Sequence, residues 1–322
     1  MLLFKYLNAD SVLRSLEYPD NVVLKFGLPS SFNDPYELFL QPDQALDSEE
    51  HLAFYDYFLS EIPQLPVACF SKHPNSVAMW AHYARDQSGA CLAFDEDTLA
   101  NMYPVAYVDD VIYSRHPAQI DSDLINYAFA TGKRRHTLAL LSAANRLAYF
   151  TKRTEWQYEG ERRLVVSLDD VQEEGSHLIS RVPGRVLRAI IIGRNSDKTV
   201  RQRCNEWGLK MGVPVMDFRI SQRTYEPFFL QDAQPLSWRG TEFVALENVC
   251  SECGDPCVVG QPRCRWCGIS DKARAEAPKR SMLTATLHYG IDDGIEVDFR
   301  GLQPKGHQAP TKPDNLGGHA EF

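Results

Sequence analysis

Three short runs set the pattern of this chain: Val67-Ala68-Cys69-Phe70-Ser71, Ser76-Val77-Ala78-Met79-Trp80-Ala81-His82-Tyr83-Ala84-Arg85, and Gly89-Ala90-Cys91-Leu92-Ala93-Phe94. The first and third are brief, apolar and bounded by turn formers, as buried strands are. Between them Val77, Trp80 and Ala84 recur at helical spacing, which predicts a short helix over residues 77–85 that ends before Gly89. Strand, helix and strand thus alternate within a few tens of residues.

The alternation continues in both directions. Upstream, Val22-Val23-Leu24-Lys25-Phe26 reads as a strand closed by Gly27 and Pro29. Downstream, residues 121–152 read as helical with a break at Gly132, and Leu141, Ala144, Leu147 and Ala148 form one stripe. Residues 162–168 and 186–192 read as strands, the second stopping at Gly193. Val200, Cys204 and Trp207 mark a helix ending at Gly208, and residues 213–220 return as a strand. The expected fold class is α+β, mixed and strand-rich.

Composition narrows the function. The 322 residues carry 34 Lys and Arg against 43 Asp and Glu, a net charge of −9. A protein whose main task is coating nucleic acid would be basic, since neutralising phosphates supplies that affinity. No apolar run approaches the ~18–20 residues that cross a bilayer, and Met1-Leu2-Leu3-Phe4-Lys5-Tyr6 lacks the marks of a secretory leader. No membrane partner and a cytoplasmic location are expected.

Cys69, Cys91 and Cys204 are scattered in apolar settings, whereas Cys250, Cys253, Cys257, Cys264 and Cys267 fall within 18 residues. That distribution suits a metal site better than a disulfide framework. Cys250-x2-Cys253 and Cys264-x2-Cys267 are two knuckles, each aiming two thiolates at one ion, so that together they complete a tetrahedron. Zinc in a small C-terminal ribbon is expected, with a structural role because four protein ligands leave no open position. Cys257 either replaces a cysteine of the first knuckle or stays a free thiol, and the free thiol is the expectation. The division expected is residues 1–235 as a catalytic or ligand-binding domain and 245–270 as the ribbon. Residues 271–322 would then hold a polar linker, a hairpin near Asp292-Asp293-Gly294 and a flexible tail.

Three segments of the first domain concentrate polar and aromatic residues. They are Pro29-Ser30-Ser31-Phe32-Asn33-Asp34-Pro35-Tyr36-Glu37, the Cys69-to-Phe94 stretch, and Lys152-Arg153-Thr154-Glu155-Trp156-Gln157-Tyr158-Glu159-Gly160-Glu161-Arg162-Arg163-Leu164. With the Lys5-Tyr6 start, these resemble a widespread bacterial family labelled as a domain of unknown function, over Leu3 to about Tyr225. The ribbon lies outside that pattern.

The order of the segments is also similar to ADP-ribosyltransferases, in which a first-strand cation holds NAD, a central Ser or Tyr supports the nicotinamide ribose and a late Glu is catalytic. That resemblance implies an ADP-ribosyltransferase-like fold, NAD as co-substrate, Ser71 and Tyr83 as middle-motif residues, and Glu161 as the catalytic carboxylate with Glu159 beside it. Lys5, Tyr6, Asn33, Asp34, Trp80, His82 and Tyr158 are the cofactor-binding candidates. Lys5-Tyr6 departs from the Arg or His expected at the first position.

The chemistry stands without the family. Cleaving a ribosyl–nicotinamide bond passes through an oxocarbenium-like centre, which a carboxylate stabilises. On a strand, Glu159 and Glu161 would share one face about 7 Å apart, and Gly160 would admit a ligand closely. The structural alternatives are plain as well. Trp80 and Tyr83 suit a core, His82 a satisfied structural histidine, and Asn33-Asp34 an Asx turn. Glu159 to Arg163 could be a solvated turn, and Lys133-Arg134-Arg135-His136 a solvent-facing helix end. Phosphate-binding, dinucleotide, metalloprotease and nucleophile-elbow signatures are missing. The leading expectation is an enzyme that transfers ADP-ribose from NAD to a macromolecular target, or hydrolyses NAD, as a toxin or phage-defence effector. The alternative is a non-catalytic ligand-sensing adaptor whose ribbon binds a partner.

Overall fold

The computed structural model describes residues 1–278 except 47, 222, 223, 225, 258 and 259. The expected hairpin and tail beyond residue 278 lie outside the described residues. Contacts divide the chain into Met1–Cys267 and Gly268–Phe322. The described part of the second unit, residues 268–278, contains the helix Asp271–Glu276, begun by Ser270, whose Oγ accepts from the Ala273 N–H. A linker was expected there; Ser at the cap followed by Ala, Lys, Arg and Glu favours a helix instead.

The first unit is α+β, as expected, and is built on a ten-stranded sheet. Its order is Phe243–Ala245, Gln234–Trp238, Pro227–Gln231, Val215–Ile220, Leu187–Ile192, Ala90–Asp95, Leu2–Leu7, Val67–Ser71, Glu161–Val165 and Tyr107–Asp110. The sheet therefore runs on beyond residue 235. Neighbours are antiparallel except Leu187–Ile192 and Val215–Ile220, which are parallel and joined by the helix Lys198–Met211. That helix passes through Gly208, the residue expected to end it, and stops at Gly212 at φ +65°. A Cβ at Gly208 would meet the Val213 carbonyl and the Val215 side chain, so this glycine permits close packing.

The central strand is apolar from Ala90 through Phe94 because both faces are covered. Ala90, Leu92 and Phe94 join one core with Leu3, Leu7, Phe70, Leu164 and Trp207. Cys91 and Ala93 join the other, with Phe4, Tyr6, Trp80, Phe218 and Phe229. A third core joins the helices Glu49–Ser60, Ser122–Thr131 and Arg134–Tyr149 to the paired segments Leu40–Pro42 and Ala118–Ile120. The break expected at Gly132 is there, at φ +57°. A separate three-stranded sheet of Gln172–Glu174, His177–Pro183 and Asn21–Phe26 packs on the first core. Among the described residues no helix is long and apolar enough to cross a membrane.

Candidate functional site

The sheet parts at its centre. Leu2–Leu7 pairs with Ala90–Asp95 over six residues but with Val67–Ser71 at the single pair Phe4–Ser71. Val67 instead exchanges both backbone hydrogen bonds with Gly27, at 2.8 and 2.9 Å. Between those two fixed points the Cys69 carbonyl accepts from Lys5 Nζ at 3.0 Å, a side-chain donor where a strand would supply a backbone one. The opening leads into a cleft of about 1240 Å³ whose walls include Lys5, Tyr6, Asn33, Ser71, Tyr83, Lys152, Glu159 and Glu161.

Tyr83, Lys152, Glu159 and Glu161 line this cleft, Arg163 and Glu37 extend the same cluster, and the strand period explains part of the grouping. Glu161 and Arg163, two apart on Glu161–Val165, share a face. Arg163 is fully buried and uses all five donors: Nε and Nη2 to Glu161 at 3.0 and 3.2 Å, Nη1 and Nη2 to Glu37 at 3.0 and 2.6 Å, and Nη1 to the Tyr149 carbonyl at 2.8 Å. Lys152 Nζ donates to Glu159 at 2.7 Å and Glu161 at 3.4 Å, and lies 4.7 Å from the Trp156 ring centre. Tyr83 donates its hydroxyl hydrogen to the other Glu159 oxygen.

The two carboxylates are driven in opposite directions. Burial opposes ionisation of Glu161, but Arg163 and Lys152 outweigh it and hold its carboxyl at about 2. Burial raises the Glu159 carboxyl above its ordinary value, and the Glu161 charge adds to that while Lys152 opposes it. Paired groups separated in this way are the usual basis for distinct acid–base roles.

The expected geometry of this segment is corrected. Glu159 ends the 3-10 turn Thr154–Glu159, Gly160 is left-handed at φ +51°, and the strand starts only at Glu161. The carboxylates converge on Lys152 through that turn and do not share a strand face. Gly160 does not open space for a ligand either: a Cβ there would lie 2.6 Å from the His73 ring.

The other singled-out residues divide into wall and support. The Tyr6 hydroxyl donates to the His73 carbonyl at 2.7 Å. The Ser71 hydroxyl donates to the Glu159 carbonyl at 2.6 Å and accepts from the His73 N–H at 3.1 Å. Asn33 is exposed on the cleft wall, whereas Asp34 accepts from the Tyr36 N–H at 3.0 Å, the Asx turn read as the alternative. Trp80 is fully buried, stacked on Phe218 with centroids 4.4 Å apart, and donates to the Pro74 carbonyl. It serves the core and cannot touch a cofactor. Exposed His82 lies 5.9 Å from the half-buried Tyr158 ring, and neither lines the cleft.

Three members of the cluster, Lys152, Arg163 and Glu37, carried no assigned role in the sequence. Arg163 was legible as the residue two places beyond Glu161 on a strand. Nothing local relates Glu37 to Arg163, 126 positions away.

At the C-terminal end of the first unit, one ligand atom from each of Cys250, Cys253, Cys264 and Cys267 lies within 4.8 Å of the others. The Cys253 and Cys264 sulfurs are 3.9 Å apart, close to the edge of about 3.8 Å that a tetrahedron of 2.3 Å zinc–sulfur bonds requires. These residues fit a thiophilic metal ion. Cys257 instead donates its thiol hydrogen to the Gln261 carbonyl at 3.2 Å.

Residues 79–164 match the family described as "Protein of unknown function (DUF2971)". The matched span runs from the short helix through the Glu159–Glu161 turn and includes Tyr83, Lys152, Glu159 and Glu161 of the cleft wall, so the resemblance is to a family without an assigned activity. No curated protein and no solved structure gives a significant match.

Proposed function

We propose that the Met1–Cys267 unit is an ADP-ribosyltransferase-like enzyme that cleaves NAD and passes ADP-ribose to a macromolecular acceptor or to water. The observation that carries this reading is the Tyr83–Glu159–Lys152 contact in the wall of a cleft of about 1240 Å³, above the ~300–1,000 Å³ of ordinary small-ligand pockets. The ribosyl C1′–N bond breaks with its electron pair leaving on the nicotinamide nitrogen. The acceptor oxygen bonds to C1′ and gives its proton to the Glu159 carboxylate.

Glu159 takes the role that the sequence pattern assigned to Glu161. Both Glu161 oxygens are held by Arg163, one also by Lys152, so its charge is neutralised in place. Glu161 is a positioning residue that fixes Lys152 and through it Glu159; Tyr83 orients the Glu159 carboxyl. Ser71 anchors the turn that carries Glu159. Zinc is the ion for the four cysteines, structural because all four positions are filled by protein, and the ribbon is a place to select an acceptor. Loss of NAD or modification of a macromolecule suits a toxin or phage-defence effector in the cytoplasm.

The test is NAD consumption by the purified full chain with lysate as acceptor source. Glu159→Gln is expected to lower turnover at least 100-fold, within the range for a lost acid–base group, and Tyr83→Phe by about tenfold. Wild-type protein that consumes no NAD under these conditions overturns the enzyme reading. The second reading, a non-catalytic ligand-sensing adaptor, is favoured by one feature: every Arg163 donor is satisfied inside the protein. It expects ligand binding without turnover, and partner capture that Cys264→Ser abolishes.

A further inference from the structure

The carboxylates at the head of the cleft are neutralised from within by Lys152 and Arg163. Three cations on its walls, Lys5, Arg14 and Lys25, are not, and two of them lie on strands that flank the opening. Lys5, on Leu2–Leu7, is half-buried, and its ammonium donates to a neutral carbonyl, that of Cys69, while lying 5.1 Å from the Phe70 ring centre. Lys25, on Asn21–Phe26, is exposed and lines the same cleft. Neither forms an ion pair among the described residues. Of the other acidic residues lining the cleft, Glu174 is held by Arg181, and Asp10 and Glu17 form no ion pair with Lys5 or Lys25 among the described residues.

An ammonium has three donors, so Lys5 keeps two beyond its bond to Cys69. Burial pushes the Lys5 ammonium below its ordinary range; Cys69 and Glu161 oppose that, and the Lys25 charge adds to it. Two like charges acting on one another across a partly desolvated cleft are unfavourable until an anion joins them. Lysines act as point charges toward phosphate, and two of them match a dianion.

We infer that Lys5 and Lys25 form a subsite for a phosphate group of a nucleotide, one residue along the strand from the Phe4–Ser71 pair where the sheet parts. The class of the remaining ligand rests on the NAD reading above; the phosphate subsite is tested without NAD. Lys25, assigned no role by the sequence pattern, becomes a binding residue.

The experiment is isothermal titration of the full chain with ADP, adenosine and inorganic phosphate at low and high salt. ADP is expected to bind at least tenfold more tightly than adenosine, to weaken as salt rises, and to be displaced by inorganic phosphate. Lys25→Met, a substitution at an exposed position that leaves folding intact, is expected to weaken ADP about tenfold without changing adenosine. Lys5→Met should do the same, with circular dichroism verifying its fold. Equal binding of ADP and adenosine, or ADP affinity unchanged in Lys25→Met, overturns the subsite. ADP binding with these properties but no NAD turnover supports the subsite and overturns the enzyme; NAD turnover without preference for ADP over adenosine does the reverse.

Discussion

Arg163 and Glu161 illustrate how much a single buried side chain depends on its partners. Arg163→Leu leaves Glu161 and Glu37 without their principal cation, and breaking a buried pair from one side costs about 3–5 kcal/mol. Equilibrium denaturation is expected to read a loss of that size. The acid limb follows from Glu161 itself. Its carboxyl sits at about 2, below the roughly 4.3 of an unfolded chain, so its contribution is present above the unfolded value and lost as pH falls toward 2. A tenfold change in proton affinity is worth about 1.4 kcal/mol, which makes the contribution on the order of 3 kcal/mol. The stability gap between wild type and Glu161→Gln, followed by urea midpoints, is therefore expected to shrink between about pH 4.5 and pH 2. A gap constant over that range would mean Glu161 is not ionised in the folded state. Glu159 has the opposite sign: its raised carboxyl favours the folded protein below the unfolded value, and that contribution is lost as pH rises through the folded one. At this scale the sequence revealed the residue types and the two-residue spacing of Glu161 and Arg163. It could not reveal that Lys152 and Glu37 close the cluster.

Among elements, turns decide what the strands can present. Ala90–Asp95 was legible because an unbroken apolar run bounded by Gly89 suits a strand buried on both faces. The turn before Glu161 was not, because Glu-Gly-Glu-Arg-Arg alternates acceptably as a strand, whereas Gly160 is left-handed with the His73 ring close against it. Two glycines test this. Gly160→Ala places a residue at φ +51° against His73, a conformation that costs an L-residue roughly 1–2 kcal/mol. Gly89→Ala sets a Cβ 1.8 Å from the Leu7 carbonyl oxygen, where the backbone itself must move, at a cost of about 3 kcal/mol or more. Thermal melts are expected to rank Gly89→Ala as the more damaging. The reverse order would mean that Leu2–Leu7 and Ala90–Asp95 are less closely held than their six-residue register indicates.

Across the whole molecule, the metal module and the cleft make separable predictions. The purified chain is expected to hold one zinc per molecule by elemental analysis, and chelation to release four thiols to a colorimetric reagent, since ligation requires deprotonated sulfur. Cys257→Ser should leave the zinc content unchanged, because that thiol bonds to Gln261 and stands outside the quartet; Cys264→Ser should abolish it. Zinc lost in Cys257→Ser would redraw the ligand set. The short Cys-x2-Cys spacing made the quartet readable, because a local turn alone brings each thiol pair together. Periodicity likewise revealed Ala90–Asp95, Leu187–Ile192, Lys198–Met211 and the helical pair broken at Gly132, since each depends on neighbours a few residues away. The cleft was decided only in three dimensions. It exists because Leu2–Leu7 touches Val67–Ser71 at one pair while Gly27 takes the other end, and because Glu37 reaches Arg163 and Lys152 from a distant segment. The register depends on contacts 40 and 67 residues apart and the Glu37–Arg163 pair on one 126 apart, and no local pattern encodes them.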